Sequence, residues 1–377
     1  MNNSELWLKT IEKFSKAYKL LPQEIINVEF SYTAVRKNLD MLLHIPESQQ
    51  TEFLYFSAVI KNKRAFRLIP EQKRTDFLFF AVIMKDGMAL RHVPESKKEN
   101  ILCSLAVQQN GNAIRYVPIP LRTETLCLTA IRKNAKAFKF VPKSMCTNAF
   151  YSTAVKQNGI VLKYVPEAVR TEAMCLTAVQ QNGYALEYVP DSLKTEDMCL
   201  TAVQQNGYAL RYIPAVMLTE AVCLAAVKQN SWVFENVPET MRTETVCLAA
   251  VQSSGWALEN VPETMRTETV CLAAVQNNGW ALENVPDVLR TEALCLAAVQ
   301  KASGALHYVP EVTKTETVCL TAVQQNGTAL YYVPKVLRTE ALCLVAVKQN
   351  RRALAYVPDN LIKKMKKMLK KGDNAGV

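Results

Sequence analysis

Apolar and polar positions recur along this chain with a strict period of 24 residues. Segment 267–290, TETVCLAAVQNNGWALENVPDVLR, shows the pattern. Val270, Cys271, Leu272, Ala274 and Val275 fall on one face at helical spacing, which predicts an amphipathic helix. Thr267 stands where its hydroxyl can accept from the first free amides of that helix, and Glu268 complements the positive end of its dipole. Gly279 is expected to end the helix in the left-handed conformation. Ala281, Leu282 and Val285 predict a second, shorter helix. Pro286 closes it, because a residue before proline is driven out of the α region. Pro286 can also open one further turn through Leu289. Each unit is a helical hairpin on this reading.

Fifteen prolines, from Pro22 to Pro358, hold the register without insertion or deletion. Repeats begin at positions 3, 27, 51, 75, 99, 123, 147, 171, 195, 219, 243, 267, 291, 315 and 339. Twelve of the fifteen begin with Thr, and Asn3 and Asn27 can cap equally well. A near-constant small residue in the first helix (Ala178, Ala202, Ala226, Ala274) lets neighbouring backbones approach closely. A single unit buries too few apolar side chains to offset its chain entropy, so stacked neighbours must supply the rest. The prediction is an all-α fold: an α-solenoid, or superhelix, of about fifteen 24-residue helix-turn-helix repeats in one domain over 3–362. The first unit, with Trp7, Phe14 and Tyr18, departs most from the pattern and reads as an amino-terminal cap. Leu361, Ile362, Met365, Met368 and Leu369, interleaved with six lysines, predict a basic amphipathic helix over 359–371 that caps the last repeat. A membrane-surface or acidic-partner role is its alternative. Residues 372–377 are expected to form a disordered tail.

The recurring Cys-Leu, Ala-Val, Gln/Asn-Gly, Ala-Leu and Val-Pro pairs, as in CLAAVQNNGWALENVP, resemble the bacterial repeat family catalogued as domain of unknown function 4116. The resemblance is full over 99–362 and weaker over 27–98. It implies tandem helical hairpins and a bacterial source, and for some members delivery into a host cell as an effector. It implies no activity, so no catalytic residue is carried over.

Composition adds that the chain is built to fold: 49% of its 377 residues are hydrophobic and only 11 are glycine. Apolar runs such as 77–84 are too short to span a bilayer. The first 21 residues lack the apolar core of a signal peptide. Eleven cysteines without an export signal suggest free thiols in a reducing, cytoplasmic compartment. The net charge of +11 hides a segregation. Residues 3–170 hold 26 basic and 14 acidic side chains, 171–290 hold 6 and 14, and 291–377 hold 13 and 6.

Candidate chemistry is sparse. Ten cysteines share one repeat register, as small buried hydrophobes would, and nothing near them supplies the spacing of a metal site. His44, His92 and His307 are too scattered to activate a nucleophile. Glu172, Glu196, Glu220 and Glu244 stand at capping positions, where they serve helix dipoles. No catalytic residue, metal or cofactor is therefore expected, and the chain is read as a non-enzyme. The informative positions are those that vary inside a fixed frame. Tyr184, Tyr208, Trp232, Trp256 and Trp280 place an aromatic just after the helix stop in five successive units. They form either a stacking ladder over the second helix or a recognition strip, with Tyr188, Tyr212, Asn236, Asn260 and Asn284 expected on the same face four residues on. A second register reads Arg67, Arg91, Arg115, Lys139 and Lys163, then Glu187, Arg211, Glu235, Glu259 and Glu283. The favoured function is a monomeric scaffold that binds a protein or extended peptide over the aromatic, acidic middle. Nucleic-acid binding on the basic stripe is the alternative. The acidic aromatic middle argues against a nucleic-acid groove along the whole chain.

Overall fold

A computed structural model describes Lys9 and residues 27–373, with side chains through Leu369. The expected amino-terminal cap at Trp7, Phe14 and Tyr18, the repeat starting at Asn3, and residues 374–377 lie outside the described residues. The fold is an all-α solenoid, with no strand among the described residues. Two compact units divide the chain, residues 1–181 and 182–377. Within each unit, the described long helices pack on the long helix of the next repeat, and the second helices likewise on the next second helix, Ala65–Leu68 against Gly87–His92 excepted.

Each repeat is built from three pieces. In the repeat beginning at Thr267, an α-helix spans Glu268–Asn277, a 3-10 helix spans Gly279–Asn284, and a 3-10 turn spans Asp287–Leu289. The expected hairpin is present, but its second arm is a 3-10 helix. Repeat 51–74 departs slightly, with a single α turn at Ala65–Leu68. Threonine caps the long helix as anticipated: the Thr267 hydroxyl accepts from the Val270 amide at 3.4 Å. Asn27 does the same for Phe30 at 2.8 Å. Glu99, in the one register without Thr or Asn, makes no side-chain cap. The capping carboxylates have a second partner beyond the helix dipole. Glu220 and Glu244 accept from the hydroxyls of the next caps, Thr243 and Thr267, each at 2.7 Å.

The helix stop corrects the sequence-based expectation. No described residue has positive φ, glycine included. Asn278, not Gly279, ends the long helix, in an extended conformation with φ −143° and ψ 112°. Its amide closes on Ala274 O at 2.8 Å while its side chain caps the 3-10 helix by accepting from the Trp280 amide at 3.1 Å. The glycine answers a different demand. A Cβ on Gly279 would lie 2.2 Å from the carbonyl oxygen of Ala298 in the next repeat, and a Cβ on the other glycines of this register would lie 2.1–2.6 Å from the equivalent oxygen. Small alanine on one repeat thus receives glycine from the repeat before. Side chains tie the contact further, since Gln229 Oε1 accepts from the Gly207 amide at 2.6 Å.

A cation just before the capping threonine locks several of the steps, whereas Gln50, Cys146 and Leu218 stand in that register elsewhere. Arg290 donates from Nε to Val285 O (2.9 Å) and from Nη2 to Glu283 O (3.1 Å), at the carboxyl end of its own 3-10 helix. From Nη1 it donates to Tyr308 O of the next repeat at 3.0 Å. Arg122, Arg242, Arg266 and Arg338 make the same three-carbonyl clamp. A guanidinium suits the place, because helix carboxyl ends expose unpaired carbonyls and carry negative partial charge.

The core is the inward register: Val270, Cys271, Ala274, Val275, Ala281 and Leu282 are fully buried, and their equivalents repeat along the chain. Ten cysteines are buried and Cys146 is half-buried. Burial pushes the thiols of Cys103, Cys127, Cys247, Cys271 and Cys319 up to about 11 from an ordinary 9.0. In the folded chain, iodoacetamide at pH 8 is therefore expected to label Cys146 alone, and all eleven thiols only after denaturation; peptide mass spectrometry reads the difference. Because unfolded thiols ionise near 9 and these five folded ones near 11, stability present below pH 9 is lost as pH rises toward 11.

The last helix, Asp359–Asp373, runs two residues past its expected end, so Gly372 and Asp373 belong to it and not to a tail. Met365 is fully buried, and Lys364 pairs with Glu340 of the last repeat's long helix at 2.6 Å, while Met368 stays exposed. Among the described residues no helix is long and apolar enough to cross a membrane.

Candidate interaction surface

The 3-10 helix of each repeat presents the variable positions. Asn230 holds the Trp232 amide at 3.0 Å, which fixes the indole on the first turn. Val233 and Phe234 point into the core, and Glu235 returns to the surface. Three residues per turn bring i and i+3 into line. Trp232 is therefore paired with Glu235, Trp256 with Glu259 and Trp280 with Glu283. This replaces the expected i+4 pairing with Asn236, Asn260 and Asn284, which assumed an α-helix.

All five aromatics are exposed, from 37% at Tyr184 to 74% at Trp232. Among the described residues, Trp280 alone of the three indoles has an inter-repeat ring contact: it meets Tyr308 edge-on at 6.3 Å and lies over Gly304. The five acidic or basic side chains of the second register in this unit, Glu187, Arg211, Glu235, Glu259 and Glu283, are exposed as well. The Tyr308 phenol is raised above its usual range, by partial burial first and then by the nearby Glu283 carboxylate. Glu235 and Glu259 enter no ion pair among the described residues.

The aromatic surface continues beyond the positions the sequence singled out. His307 contacts Tyr332 at 5.2 Å, and Tyr331, 58% exposed, contacts Tyr332 and Tyr356 at 5.0 and 5.2 Å. The signal was Tyr308, Tyr332 and Tyr356 at 24-residue spacing.

In the amino-terminal unit the same outward register holds Arg67, Arg91, Arg115, Lys139 and Lys163, all exposed. Arg115 lies over the rings of Tyr116 and Phe140 at 5.2 and 5.8 Å. Burial first, and then the charges of Arg91, Arg67 and Arg74, lowers the His92 pKa.

Among the clefts between consecutive repeats, two are equivalent, one in each unit. The first, about 260 Å³, is lined by Lys63, Arg64, Arg67, Arg91 and His92, with Phe66 at its floor. The second, about 280 Å³, is lined by Trp232, Glu235, Trp256, Glu259 and Asn260, with Phe234 at its floor. They are the same cleft in two repeats: Arg64 and Arg67 stand in the register of Trp232 and Glu235, and Phe66 in that of Phe234. A clamp arginine covers each phenyl ring, Arg74 at 5.0 Å and Arg242 at 5.2 Å. Each opens where the close-approach glycine is replaced, by Lys63 in one and Ser231 in the other. The 3-10 helix Ser231–Asn236 accordingly meets the next long helix less closely than Gly255–Asn260 meets its own neighbour.

Among the described residues no group of three or more His, Cys, Asp or Glu side chains could hold a metal ion. No curated protein and no solved structure matches the chain. The profile of one family, Domain of unknown function (DUF4116), matches residues 123–170, 172–218, 243–290 and 315–362. These segments span about half the chain, each covers two successive repeats, and three of the four begin on a capping threonine. With the repeat, its caps and its register all coinciding with that profile, the chain belongs to the DUF4116 family.

Proposed function

We propose that this protein is a non-catalytic scaffold that binds an extended protein segment along the outward register of its carboxyl-terminal unit. One observation carries this: Trp232, Trp256 and Trp280 are 41–74% exposed, although the same helices have ample core positions for large apolar side chains. Exposed indoles at regular spacing are the side chains that anchor protein interfaces most strongly. The buried thiols, held neutral well above physiological pH, and the separation of His92 from His307 into different units support the non-catalytic part.

The triple variant Trp232→Ala, Trp256→Ala, Trp280→Ala is expected to keep its far-ultraviolet helical signal and to lose at least about tenfold in capture of a partner from bacterial or host-type lysates. Undiminished capture sinks the proposal, and loss of the helical signal assigns the rings to the fold instead. The basic cleft at Arg67 and Arg91 supports a second reading, phosphate binding on nucleic acid. Salt-sensitive retention of DNA or RNA by wild type and triple variant alike, without protein capture, would move the function there.

A further inference from the structure

We infer that the cleft between Trp232 and Trp256 is a socket for a single cationic side chain, arginine foremost, of the bound segment. This rests on the scaffold reading and names the chemistry its central site accepts. Two indoles form walls of the cleft, and Glu235 and Glu259 stand beside them without an ion pair among the described residues. Indole faces attract cations through the ring quadrupole, and carboxylates add charge complementarity. A planar guanidinium can stack on an aromatic wall while its edge reaches a carboxylate, which an ammonium cannot do as well. The fold already uses this geometry one layer below, where Arg242 covers the Phe234 ring at 5.2 Å.

The equivalent cleft of the amino-terminal unit is an internal comparison. Its backbone register is the same and its floor is the same phenylalanine, but Arg64, Arg67 and Arg91 replace Trp232, Glu235 and Glu259. The variable positions, and not the frame, therefore set the charge of what can enter. The frame sets whether anything enters, because the socket lies where the 3-10 helix that begins at Ser231 meets the next long helix less closely than its neighbour does.

The test is titration of the full chain with acetylated hexa-arginine amide, followed by tryptophan fluorescence. Three of the four tryptophans lie in this register, so the signal reports on the site. Binding is expected to quench the emission. The pair Trp232→Ala, Trp256→Ala, followed by calorimetry, should weaken it about tenfold. Glu235→Gln with Glu259→Gln should weaken it roughly fivefold. Ser231→Gly removes neither wall nor charge; it should weaken binding several-fold while raising the thermal midpoint, as the repeats close. Hexa-glutamate should not bind this site. The inference is overturned if the tryptophan pair binds hexa-arginine as tightly as wild type does, since attraction is then diffuse surface charge. It is equally overturned if Ser231→Gly closes the repeats, seen as a raised midpoint, and leaves affinity unchanged. If hexa-arginine fails to bind while the triple tryptophan variant still loses its captured partner, the socket falls and the scaffold stands.

Discussion

Replacing Arg290 by methionine is expected to destabilise the carboxyl-terminal unit by about 3 kcal/mol, the largest effect of any single surface-register change. Methionine keeps the aliphatic stem against the core but removes every donor. Three carbonyls, Val285 O, Glu283 O and Tyr308 O, then lose a partner at the carboxyl ends of two consecutive 3-10 helices. The ion pair with Asp287 at 3.1 Å adds little, because that carboxylate is 83% exposed. Arg290→Lys should cost about 1 kcal/mol, since Lys194, in the same register, still reaches the next repeat through Tyr212 O at 2.7 Å. Urea denaturation followed by circular dichroism ranks the variants. Hydrogen exchange should locate the loss in Ser303–Tyr308, the helix on the far side of the clamp. A methionine variant within about 0.5 kcal/mol of wild type would mean that water serves those carbonyls equally well.

Gly279→Ala is expected to cost about 2 kcal/mol, a typical overpacking penalty, because its Cβ would come within 2.2 Å of Ala298 O and 2.9 Å of Ala302 N. Neither is a flexible side chain, so the next repeat must retreat as a body. The repeats that carry Lys63 and Ser231 in this register have a gap beside the 3-10 helix. Gly279→Asn separates the two explanations for this glycine. A left-handed helix stop would tolerate asparagine better than alanine. A close backbone approach disfavours both, and asparagine should be no more stable than alanine in the same denaturation assay.

These two residues mark where reading the chain succeeded and where it failed. Thr267 as a cap, Val285 extended before Pro286, and Cys271 as a buried hydrophobe were all legible, because each depends on groups within a few residues along the chain. Gly279 was placed correctly and explained wrongly. Asn-Gly after a helix is the usual sign of a left-handed stop, and only the neighbouring carbonyl shows the other demand. Apolar spacing does not distinguish an α-helix from a 3-10 helix over six residues, so it pairs Trp232 with Asn236 where the structure pairs it with Glu235. The clamp of Arg122, Arg242, Arg266, Arg290 and Arg338 is not legible in the sequence, because a cation next to a cap looks like ordinary solvated charge.

The repeat length, the position of each long helix among the described residues and the register that faces the core are legible along the chain. Those follow from periodicity and from hydrogen bonds that close inside one unit. The tertiary structure decided how nearly one repeat approaches the next, through Gly279 meeting Ala298 and Arg290 reaching Tyr308, 18 residues on. That distance in turn decided where the surface is sealed and where, beside Lys63 and Ser231, it stays open. The physical reason is that stacking distance is set jointly by two backbones. A pattern along one of them fixes which residues face the neighbour, but not the space left between the two.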